Sequence, residues 1–541
     1  MKKFIVLYAF LSAFCFADKA WAITMSESLF DAIGIYDCRI GNDDVIFITE
    51  KVSPDKAEGI FVINQGRAAE NTHSFILQKT GKKWVIQSDT YSGRIKGASN
   101  SQGFTGQISY FNKKKKFLFF YQKGEITIKK RPDETFTFHE RYQQEIFSKV
   151  AVSTDIKYGQ ALGYWTHNPY DNEPYVEVIS RGISTTLRDP EMLDLKMDIY
   201  QPDGDTMQNR PLVLLIHGGA FYIGTKQCPT MKILANTLAK RGYVVASIDY
   251  RMGFRLRGSD IERSGYRAVQ DAHAALRFLA HNASLYKIDP NNVYVAGTSA
   301  GAIATLNLAF MDNDERPESV QSRKKSEDLG KIESSGNAFT EGFTVKAIVN
   351  MWGAVTDLSI IDKDENIPVL SIHGTADDIV PFAHDYPFQS ALLINRLLMD
   401  KMYGSKSVTD RLNELGIKNE LLALEGLKHE PQTDKFDHMN YLMDTISTRL
   451  TRFYYNQISP EIIVPEKQLA VSADATLVPI YYEVEKGQTQ WVAVVGGVKV
   501  AEQDGNLSVI WFKNHGRHEL SIAAANIYNS WAQKKVNIQL K

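Results

Sequence analysis

One short run of small residues constrains the fold of this chain more than any other feature. The run G-T-S-A-G at residues 297–301 follows the apolar residues 293–296 and precedes a second apolar run, 302–310. A strand, a sharp turn and a helix in this order form a nucleophile elbow, where only small neighbours fit around a strained, exposed serine. We therefore predict Ser299 as a nucleophile. An ordinary strand-to-helix turn can have the same residues, so the choice between the two interpretations depends on motifs elsewhere in the chain.

A loop upstream of the elbow is suited to stabilising a negative charge. The run H-G-G-A-F at residues 217–221 directly follows an apolar, strand-like run. Small residues let backbone N–H groups approach a developing alkoxide closely, so we predict donors at Gly219 and Ala220. A third donor is predicted at Ala300, just after the nucleophile. His217 is interpreted as a brace for this loop rather than as the general base.

Two later strand-like runs end in loops that carry the partners a nucleophilic serine needs. One loop carries Asp377 and Asp378, and the other carries His429. In such a triad the histidine accepts the serine proton and returns it to the leaving group, while a carboxylate holds the correct tautomer. We predict Asp377 as that acid because it is nearer to the strand end, with Asp357 as the alternative. The predicted triad is Ser299, Asp377 and His429.

Changes in the pattern of apolar and polar residues along the chain indicate a leader and three domains. Residues 1–22 combine two lysines, an apolar run and small residues before a cleavage point, as a secretory signal does. Residues 23–150 contain short β-rich runs and predict a small antiparallel barrel or sandwich. Residues 151–458 alternate strand-like and helical runs, which is typical of an α/β domain. Residues 459–541 are β-rich again and predict an immunoglobulin-like sandwich.

The middle domain contains eight strand-like runs. They are residues 175–179, 195–200, 212–216, 244–248, 293–296, 345–351, 369–372 and 420–424. Helical runs fall between most of them, so we predict a mostly parallel eight-stranded sheet with helices on both faces. The polar segment 313–341 has two interpretations, a lid over the site or a surface insertion.

Composition and residue spacing exclude several classes of function. The formal net charge is -1 over 541 residues, so the charge balance gives no indication of nucleic-acid binding. No run after the leader is long and apolar enough to span a membrane. Cys38 and Cys228 are the cysteines of the mature chain, and we expect two separate thiols. No Cys/His cluster has the spacing of a zinc site, so we predict no metal site.

Several further residues admit two interpretations. Phe221, Tyr222 and Trp352 lie near strand ends and predict an apolar or aromatic pocket, with core packing as the alternative. The lysine run 113–116 is interpreted as a solvated hairpin tip rather than as a grip on an anionic polymer. Three tryptophans in the last domain fit a sandwich core or a carbohydrate-stacking platform; they are Trp491, Trp511 and Trp531.

Taken together, the motifs resemble the bacterial carboxylesterase and lipase branch of the α/β hydrolases, which is related to the hormone-sensitive-lipase-like esterases. The resemblance covers about residues 155–455 and rests on the loops described above, on M-D-I-Y-Q-P at 197–202 and on D-Y-R at 249–251. It implies hydrolysis of carboxylic esters without a cofactor. Two positions depart from the family pattern, Ala220 where a third glycine is usual and Thr298 where an acidic residue is usual.

Two other classes of function remain open at the level of sequence. The loop that carries Asp377 also resembles that of prolyl-oligopeptidase-like serine peptidases, but those carry a long propeller where this chain has only residues 23–150. A non-catalytic binding or adhesion protein on a hydrolase scaffold is the second alternative. For an ester hydrolase with this leader we expect a periplasmic, cell-surface or extracellular location. The substrate hypothesis is an acyl or feruloyl ester of an extracellular polymer, with the β domains contacting polysaccharide.

Overall fold

A computed structural model of the chain defines the fold over most of its length. It describes residues 34–40, 43–53, 55–64, 71–81, 83–88, 91–100, 103–112, 122–130, 140–164, 190–254, 258–322, 327–389, 399–434, 438–466, 470–471, 477–495, 497–503, 505–512 and 516–540. The predicted leader 1–22, the lysine run 113–116 and the predicted strands 117–121 and 175–179 lie outside the described residues.

The chain divides into two compact units. One comprises Met1–Phe138, Pro460–Ala525 and Ala532–Lys541. The other comprises His139–Ser459 together with Asn526–Trp531, and we call it the α/β unit. The short segment Asn526–Trp531 is held to the rest of the α/β unit by several hydrogen bonds, including one from the Tyr528 hydroxyl to Asp289 Oδ2 at 2.8 Å.

The first part of the chain forms a closed antiparallel barrel of eight strands, in agreement with the predicted β-rich domain. The strands are β1 (Gly34–Ile40), β2 (Asp43–Ser53), β3 (Lys56–Asn64), β4 (Asn71–Thr80), β5 (Lys83–Ser88), β6 (Tyr91–Asn100), β7 (Gly103–Asn112) and β8 (Gln122–Lys130). Each strand pairs with the next, and β1 pairs with β8 to close the barrel. Alternating side chains such as Phe47, Phe61 and Phe75 fill its interior, as the two-residue period of a strand requires.

The α/β unit is built on the predicted eight-stranded sheet. Its strands are β9 (Val150–Gly163), β10 (Glu191–Pro202), β11 (Arg210–Ile216), β12 (Val244–Ile248), β13 (Ile288–Thr298), β14 (Val345–Met351), β16 (Val369–Gly374) and β19 (Asn419–Leu424). Their order across the sheet is β19-β16-β14-β13-β11-β12-β10-β9. The six strands from β19 to β12 are parallel to one another. Strand β10 runs antiparallel to both of its neighbours, β12 and β9. The sheet thus begins with β9, a strand that is absent from the predicted runs.

Helices cover both faces of this sheet. They are α1 (Pro229–Ala239), α2 (Gly258–His281), α3 (Ala283–Tyr286), α4 (Ala300–Phe310), α5 (Ser405–Leu415) and α6 (Leu442–Ile458). Short 3-10 turns occur at Glu318–Val320, Ile332–Ser334 and Leu358–Ile360, and a small sheet joins β15 (Ala354–Val355), β17 (His384–Asp385) and β18 (Met402–Gly404). Leu212 and Leu214 on β11 pack in the core with α2 and α4, while Val213 and Leu215 pack with α1 and α6. A strand with two buried faces explains the continuous apolar runs of the sequence.

The last part of the chain is all β, as predicted. Its strands are β20 (Glu461–Ile463), β21 (Ala470–Val471), β22 (Leu477–Tyr481), β23 (Glu483–Glu485), β24 (Gln488–Val494), β25 (Gly497–Gln503), β26 (Leu507–Phe512), β27 (Gly516–Ala525) and β28 (Trp531–Leu540). They form a four-stranded, a three-stranded and a two-stranded sheet around a shared apolar core. The immunoglobulin-like topology stays a prediction.

Two smaller findings concern the cysteines and the helices. Cys38 is buried in the barrel and Cys228 is half-buried in the α/β unit, and neither forms a disulfide. The expectation of two separate thiols agrees with this. Among the helices that the structure describes, none has the length and apolar character needed to cross a membrane.

Candidate active site

The predicted nucleophile sits on a strained turn between β13 and α4. Ser299 has φ +52° and ψ -120°, a backbone conformation that costs roughly 1–3 kcal/mol outside glycine. The glycines on either side are required by close packing. A Cβ added to Gly297 would lie 2.1 Å from the Gly301 carbonyl oxygen, and one added to Gly301 would lie 2.1 Å from that of Ile216. The sequence G-T-S-A-G therefore forms the predicted elbow at the carboxyl end of the central strand.

The structure brings the three predicted triad side chains together. Ser299 Oγ donates to His429 Nε2 at 2.9 Å, and His429 Nδ1 donates to Asp377 Oδ2 at 2.7 Å. His429 follows β19 and Asp377 follows β16, so the carboxyl ends of three parallel strands place these groups at one edge of the sheet. The Trp352 and His429 rings are 6.5 Å apart between centroids and make an interplanar angle of 74°.

Asp377 is a buried carboxylate that accepts several hydrogen bonds. Its Oδ1 accepts from the backbone N–H groups of Ile379 at 2.8 Å and Val380 at 3.0 Å. Burial by itself would raise the pKa of this carboxyl, but the hydrogen bonds from His373 and His429 outweigh burial and lower the pKa well below its usual range. Asp377 is therefore ionised whenever His429 has to act as a base.

A line of buried polar side chains, which the sequence analysis did not predict, contacts the acid. His373 Nε2 lies 3.1 Å from Asp377 Oδ2 and 3.0 Å from the Val380 carbonyl oxygen. The Ser405 hydroxyl lies 2.7 Å from His373 Nδ1, and Asn350 Nδ2 donates to Ser405 Oγ at 3.0 Å. With Ser405 donating to Nδ1, the Nε2 proton of His373 points to the acid and to Val380. Asp377 Oδ2 therefore contacts two histidines, His429 and His373, and the contact with His373 helps to hold the carboxylate in place.

The loop after β11 carries the predicted oxyanion donors. Gly219, Ala220 and Phe221 have positive φ values of +111°, +54° and +58°. Ala220 and Ala300 line the same cavity as Ser299, whereas Gly219 is not among its lining residues. Ala300 is the first residue of α4, where a backbone N–H has no acceptor within the helix. The N–H groups of Ala220 and Ala300 therefore fit the predicted role best.

His217 braces this loop, as the sequence predicted. Its ring is buried and stacks on Tyr250, with 4.4 Å between ring centroids and an interplanar angle of 19°. Its Nδ1 lies 2.7 Å from the Gly218 carbonyl oxygen. The histidine that contacts the serine is His429, so His217 takes no part in that pairing.

A cavity of about 890 Å³ opens on Ser299. Apolar side chains contribute much of its wall; they include Phe221, Val269, Ile303, Met311, Ile360 and Met402. Carboxylates line it as well, namely Glu262, Glu315, Glu318, Asp357 and Asp400. Of the three predicted pocket residues, Phe221 alone lines this cavity. Trp352 is fully buried in the core behind His429, and Tyr222 packs on Phe254 with 4.9 Å between ring centroids.

The polar segment 313–341 supplies part of the cavity wall. Residues 315 and 317–319 line the cavity. Side chains of α2 donate to backbone carbonyl groups of the segment, each at 2.8 Å: Arg263 to Ser319, Tyr266 to Gly330 and Gln270 to Leu329. Val320 and Ile332 are buried. The described part of the segment is therefore tied to α2, unlike a loose surface insertion.

The remaining predicted residues have other contacts. Asp357, the alternative acid, lines the cavity and accepts from the Ser359 N–H at 2.8 Å. Asp378 forms an ion pair with Lys428 at 3.0 Å on the surface side of the loop. In the part of the chain that the structure describes, no group of three or more His, Cys, Asp or Glu side chains is arranged to hold a metal ion.

The chain is similar to known esterases. The BD-FAE family model, which belongs to the α/β hydrolases, matches residues 197–367. Isoprenylcysteine α-carbonyl methylesterase of Arabidopsis thaliana is 26% identical over 44% of this chain and 54% of its own length. Para-nitrobenzyl esterase of Bacillus subtilis is 34% identical over 22% of this chain and 24% of its own length. A truncated carbohydrate esterase from gut microbiota is 20% identical, with a TM-score of 0.36, over 58% of this chain and 98% of its own.

The matches cover only part of each curated relative. The chain spans about half the length of the methylesterase and a quarter of the nitrobenzyl esterase. The family match, residues 197–367, lies within the α/β unit. The finer resemblance to hormone-sensitive-lipase-like esterases stays a prediction. In its sheet topology, its family match and its curated relatives, the α/β unit is similar to α/β hydrolases of the carboxylesterase type.

Proposed function

We propose that this protein is an exported serine hydrolase that cleaves carboxylic esters. The observation that carries the proposal is the unbroken line of hydrogen bonds from Ser299 Oγ through His429 to Asp377, at 2.9 Å and 2.7 Å, beside a cavity that opens on the serine. Ser299 is the nucleophile in this proposal, His429 the general base and then acid, and Asp377 the group that orients His429.

The proposed reaction has two halves. As Ser299 Oγ attacks the ester carbonyl carbon, His429 Nε2 takes the hydroxyl proton and the carbonyl oxygen becomes an oxyanion. The N–H groups of Ala220 and Ala300 face this charge. When the C–O bond to the alcohol breaks, His429 returns the proton to the leaving oxygen and an acyl-enzyme remains. Water then attacks the acyl group in the same way, releasing the carboxylic acid and Ser299.

The substrate class is the next level of the proposal. The apolar wall of the cavity suits an uncharged acyl group, because burying apolar surface favours binding. The names of the relatives, a methylesterase and a nitrobenzyl esterase, support an ester substrate. The predicted leader and the two β-rich parts favour acyl or feruloyl esters of an extracellular polymer, with the β parts contacting the polymer. This is the hypothesis that an ester panel graded by acyl length has to test.

Neither alternative class has a specific observation in its favour. A prolyl-oligopeptidase-like enzyme carries a propeller before the hydrolase domain, whereas the first part of this chain is an eight-stranded barrel. A binding protein on an inactive scaffold would be expected to lack a triad member, but Ser299, Asp377 and His429 are present and in contact. Comparing p-nitrophenyl acetate with a prolyl p-nitroanilide separates esterase from peptidase.

The exchange of Ser299 for alanine is the decisive test. We expect Ser299→Ala to fold normally and to lose ester hydrolysis by roughly 10⁴-fold or more, because covalent catalysis requires the hydroxyl. A fluorophosphonate should label the wild-type protein at Ser299 and should not label the variant. The matched control is Ser359→Ala in the same cavity, which should retain activity within about twofold. Substantial hydrolysis of p-nitrophenyl acetate by Ser299→Ala would refute the proposal.

A further inference from the structure

The oxyanion loop, residues 217–228 between β11 and α1, contains a strained stretch of backbone. Three consecutive residues, Gly219, Ala220 and Phe221, have positive φ. For the two residues with side chains, such a conformation costs roughly 1–3 kcal/mol each and persists only where the surroundings hold it. The direction of the Ala220 N–H therefore depends on the contacts that hold this stretch. Within the loop, the Gly219 carbonyl oxygen accepts from the Ile223 N–H at 3.0 Å, and further contacts come from outside the loop.

The first half of the loop is held by residues that follow β12 and by α2. The Tyr250 hydroxyl donates to the His217 carbonyl oxygen at 2.9 Å and lies 3.3 Å from that of Gly218. The Phe221 carbonyl oxygen accepts from the Gly253 N–H at 2.8 Å and from the Ser264 hydroxyl at 3.1 Å. These contacts fix the residues on both sides of Gly219 and Ala220.

The second half is held by a buried ion pair. Lys226 and Asp249 are both 0% exposed, and Lys226 Nζ lies 3.0 Å from Asp249 Oδ2. The Lys226 backbone N–H donates to Asp249 Oδ1 at 2.7 Å, and its carbonyl oxygen accepts from the Ser247 hydroxyl at 2.8 Å. Asp249 directly follows β12, so every polar group of Lys226 connects the loop to the end of a central strand.

The ammonium group of Lys226 has further carboxylate partners. It lies 2.9 Å from Asp155 Oδ1 and 3.5 Å from Asp198 Oδ1. A lysine is almost never fully buried unless it is paired, and a buried ion pair adds little net stability compared with apolar side chains of similar size. A role in setting the geometry of the loop explains this cluster better than a role in overall stability.

We propose that Lys226 is a positioning residue for the oxyanion hole. Through Asp249 it fixes the exit of the loop 217–228 and so keeps the Ala220 N–H directed at the carbonyl oxygen of a bound ester. The inference rests on the proposed esterase function. The carbonyl oxygen gains its full charge only in the tetrahedral intermediate, so a displaced donor should slow the chemical step more than it weakens substrate binding.

The test is Lys226→Met in the full-length protein. Loss of one oxyanion donor costs about 10²–10³-fold in kcat, so a misdirected donor should lower kcat by about 10–100-fold while KM changes less than about threefold. The Ki of a trifluoromethyl ketone, whose hemiketal oxyanion occupies the same donors, should rise by a similar factor. The matched control is Lys157→Met, which removes an exposed ion pair of 2.7 Å to Asp194 and should change neither quantity.

A second pair of variants separates positioning from stability. Lys226→Met leaves Asp249 buried without its ammonium partner, so its melting temperature should fall. Adding Asp249→Asn removes that charge and keeps an oxygen for the backbone N–H at position 226, so the double variant should recover melting temperature but not kcat. Asp249→Asn alone should fold and lower kcat by about 3–10-fold.

The outcomes distinguish this inference from the proposed function. If wild-type protein hydrolyses no ester and Ser299 takes up no fluorophosphonate, the proposed function fails. If wild-type protein is active but Lys226→Met keeps its kcat and Ki, or if kcat recovers together with melting temperature in the double variant, Lys226 is not a positioning residue. If Lys226→Met does not fold, the test rests on Asp249→Asn. The inference is then overturned if Asp249→Asn has the same kcat and Ki as the wild-type protein.

Discussion

Asp377 and Asp249 are two buried carboxylates of the same sheet edge with opposite properties. Each follows the end of a parallel strand, β16 for Asp377 and β12 for Asp249, and each lies near a histidine. Asp377 Oδ2 is 2.7 Å from His429 Nδ1, whereas Asp249 Oδ1 is 3.9 Å from His217 Nε2. The pKa of Asp377 is lowered well below its usual range, while that of Asp249 is raised to about 6.

The difference lies in the partners rather than in the depth of burial. Burial is the largest influence on both carboxyls and raises both pKa values. For Asp377, hydrogen bonds from His373 and His429 more than compensate for it. For Asp249, Lys226 compensates only in part, and the neighbouring Asp198 adds repulsion. A strand-end carboxylate thus becomes an acid that orients a histidine or an anchor for a loop, according to the donors around it.

Among the carboxylate variants, the largest effect is expected at the orienting acid. Asp377→Asn should lower kcat by about 10³–10⁴-fold with little change in KM, because a neutral amide favours the wrong tautomer of His429. Steady-state kinetics on a short p-nitrophenyl ester measures this. Asp378→Asn is the matched control, since the exposed pair of Asp378 with Lys428 should leave kcat within about twofold. Equal losses in both variants would mean that the loop, and not one carboxylate, controls the rate.

A smaller effect is expected at the second histidine of the acid. His373→Gln removes the ring nitrogen that lies 3.1 Å from Asp377 Oδ2, so Asp377 keeps His429 and two backbone donors but loses one partner. We expect kcat to fall about tenfold, the size of one charge-assisted hydrogen bond. His384→Gln, on an exposed ring stacked on Tyr403, is the control and should be neutral. Wild-type kcat in His373→Gln would show that Asp377 needs no second histidine.

These two carboxylates also show how far the sequence could be interpreted. Ser299, Asp377 and His429 were predictable because each lies on the turn or loop after a recognisable apolar strand, and parallel strands bring their carboxyl ends to one edge. His429 and Ser299 are 130 positions apart, yet fold class and chain order together determine their contact. The role of Asp249 was not predictable, because its partner Lys226 is one of many lysines and follows no strand end.

Other features escaped sequence analysis for the same reason. Strand β9 lies at the edge of the sheet, and most of its residues are exposed, so its sequence lacks the continuous apolar run of a central strand. The contact of His373 with Ser405 and the hydrogen bonds from α2 to the segment 313–341 depend on residues far apart in the chain. Trp352 lies near a strand end as a pocket residue would, but its side chain points into the core.

The pH dependence of stability should separate the two carboxylates. The pKa of Asp249 is raised from 3.8 to about 6, so its contribution to stability is greatest below about pH 4 and is lost as the pH rises through 6, by roughly 3 kcal/mol. The pKa of Asp377 is lowered, so its contribution is present above about pH 4 and is lost as the pH falls further.

Melting curves at two pH values test this sign. Between pH 4.5 and 7, the difference in melting temperature between wild type and Asp249→Asn should shift by several degrees in favour of the variant as the pH rises. The difference between wild type and Asp377→Asn should stay nearly constant over the same range. A shift of the opposite sign for Asp249→Asn would show that Lys226 holds the carboxylate ionised at low pH.

The smallest effect is expected at Asp155, the exposed member of the Lys226 cluster. Asp155 Oδ1 lies 2.9 Å from Lys226 Nζ, about as close as Asp249, but its side chain is 47% exposed. Water screens an exposed ion pair, and asparagine tolerates the φ of +56° at this position, so Asp155→Asn should change kcat and the trifluoromethyl ketone Ki by less than about twofold. Kinetics on Asp155→Asn and Asp249→Asn side by side make the comparison. If Asp155→Asn lowers kcat as much as Asp249→Asn does, the total charge around Lys226 controls the oxyanion loop. A clear difference between the two variants would instead show that the buried bond to β12 does so, since the two carboxylates differ in burial and not in distance.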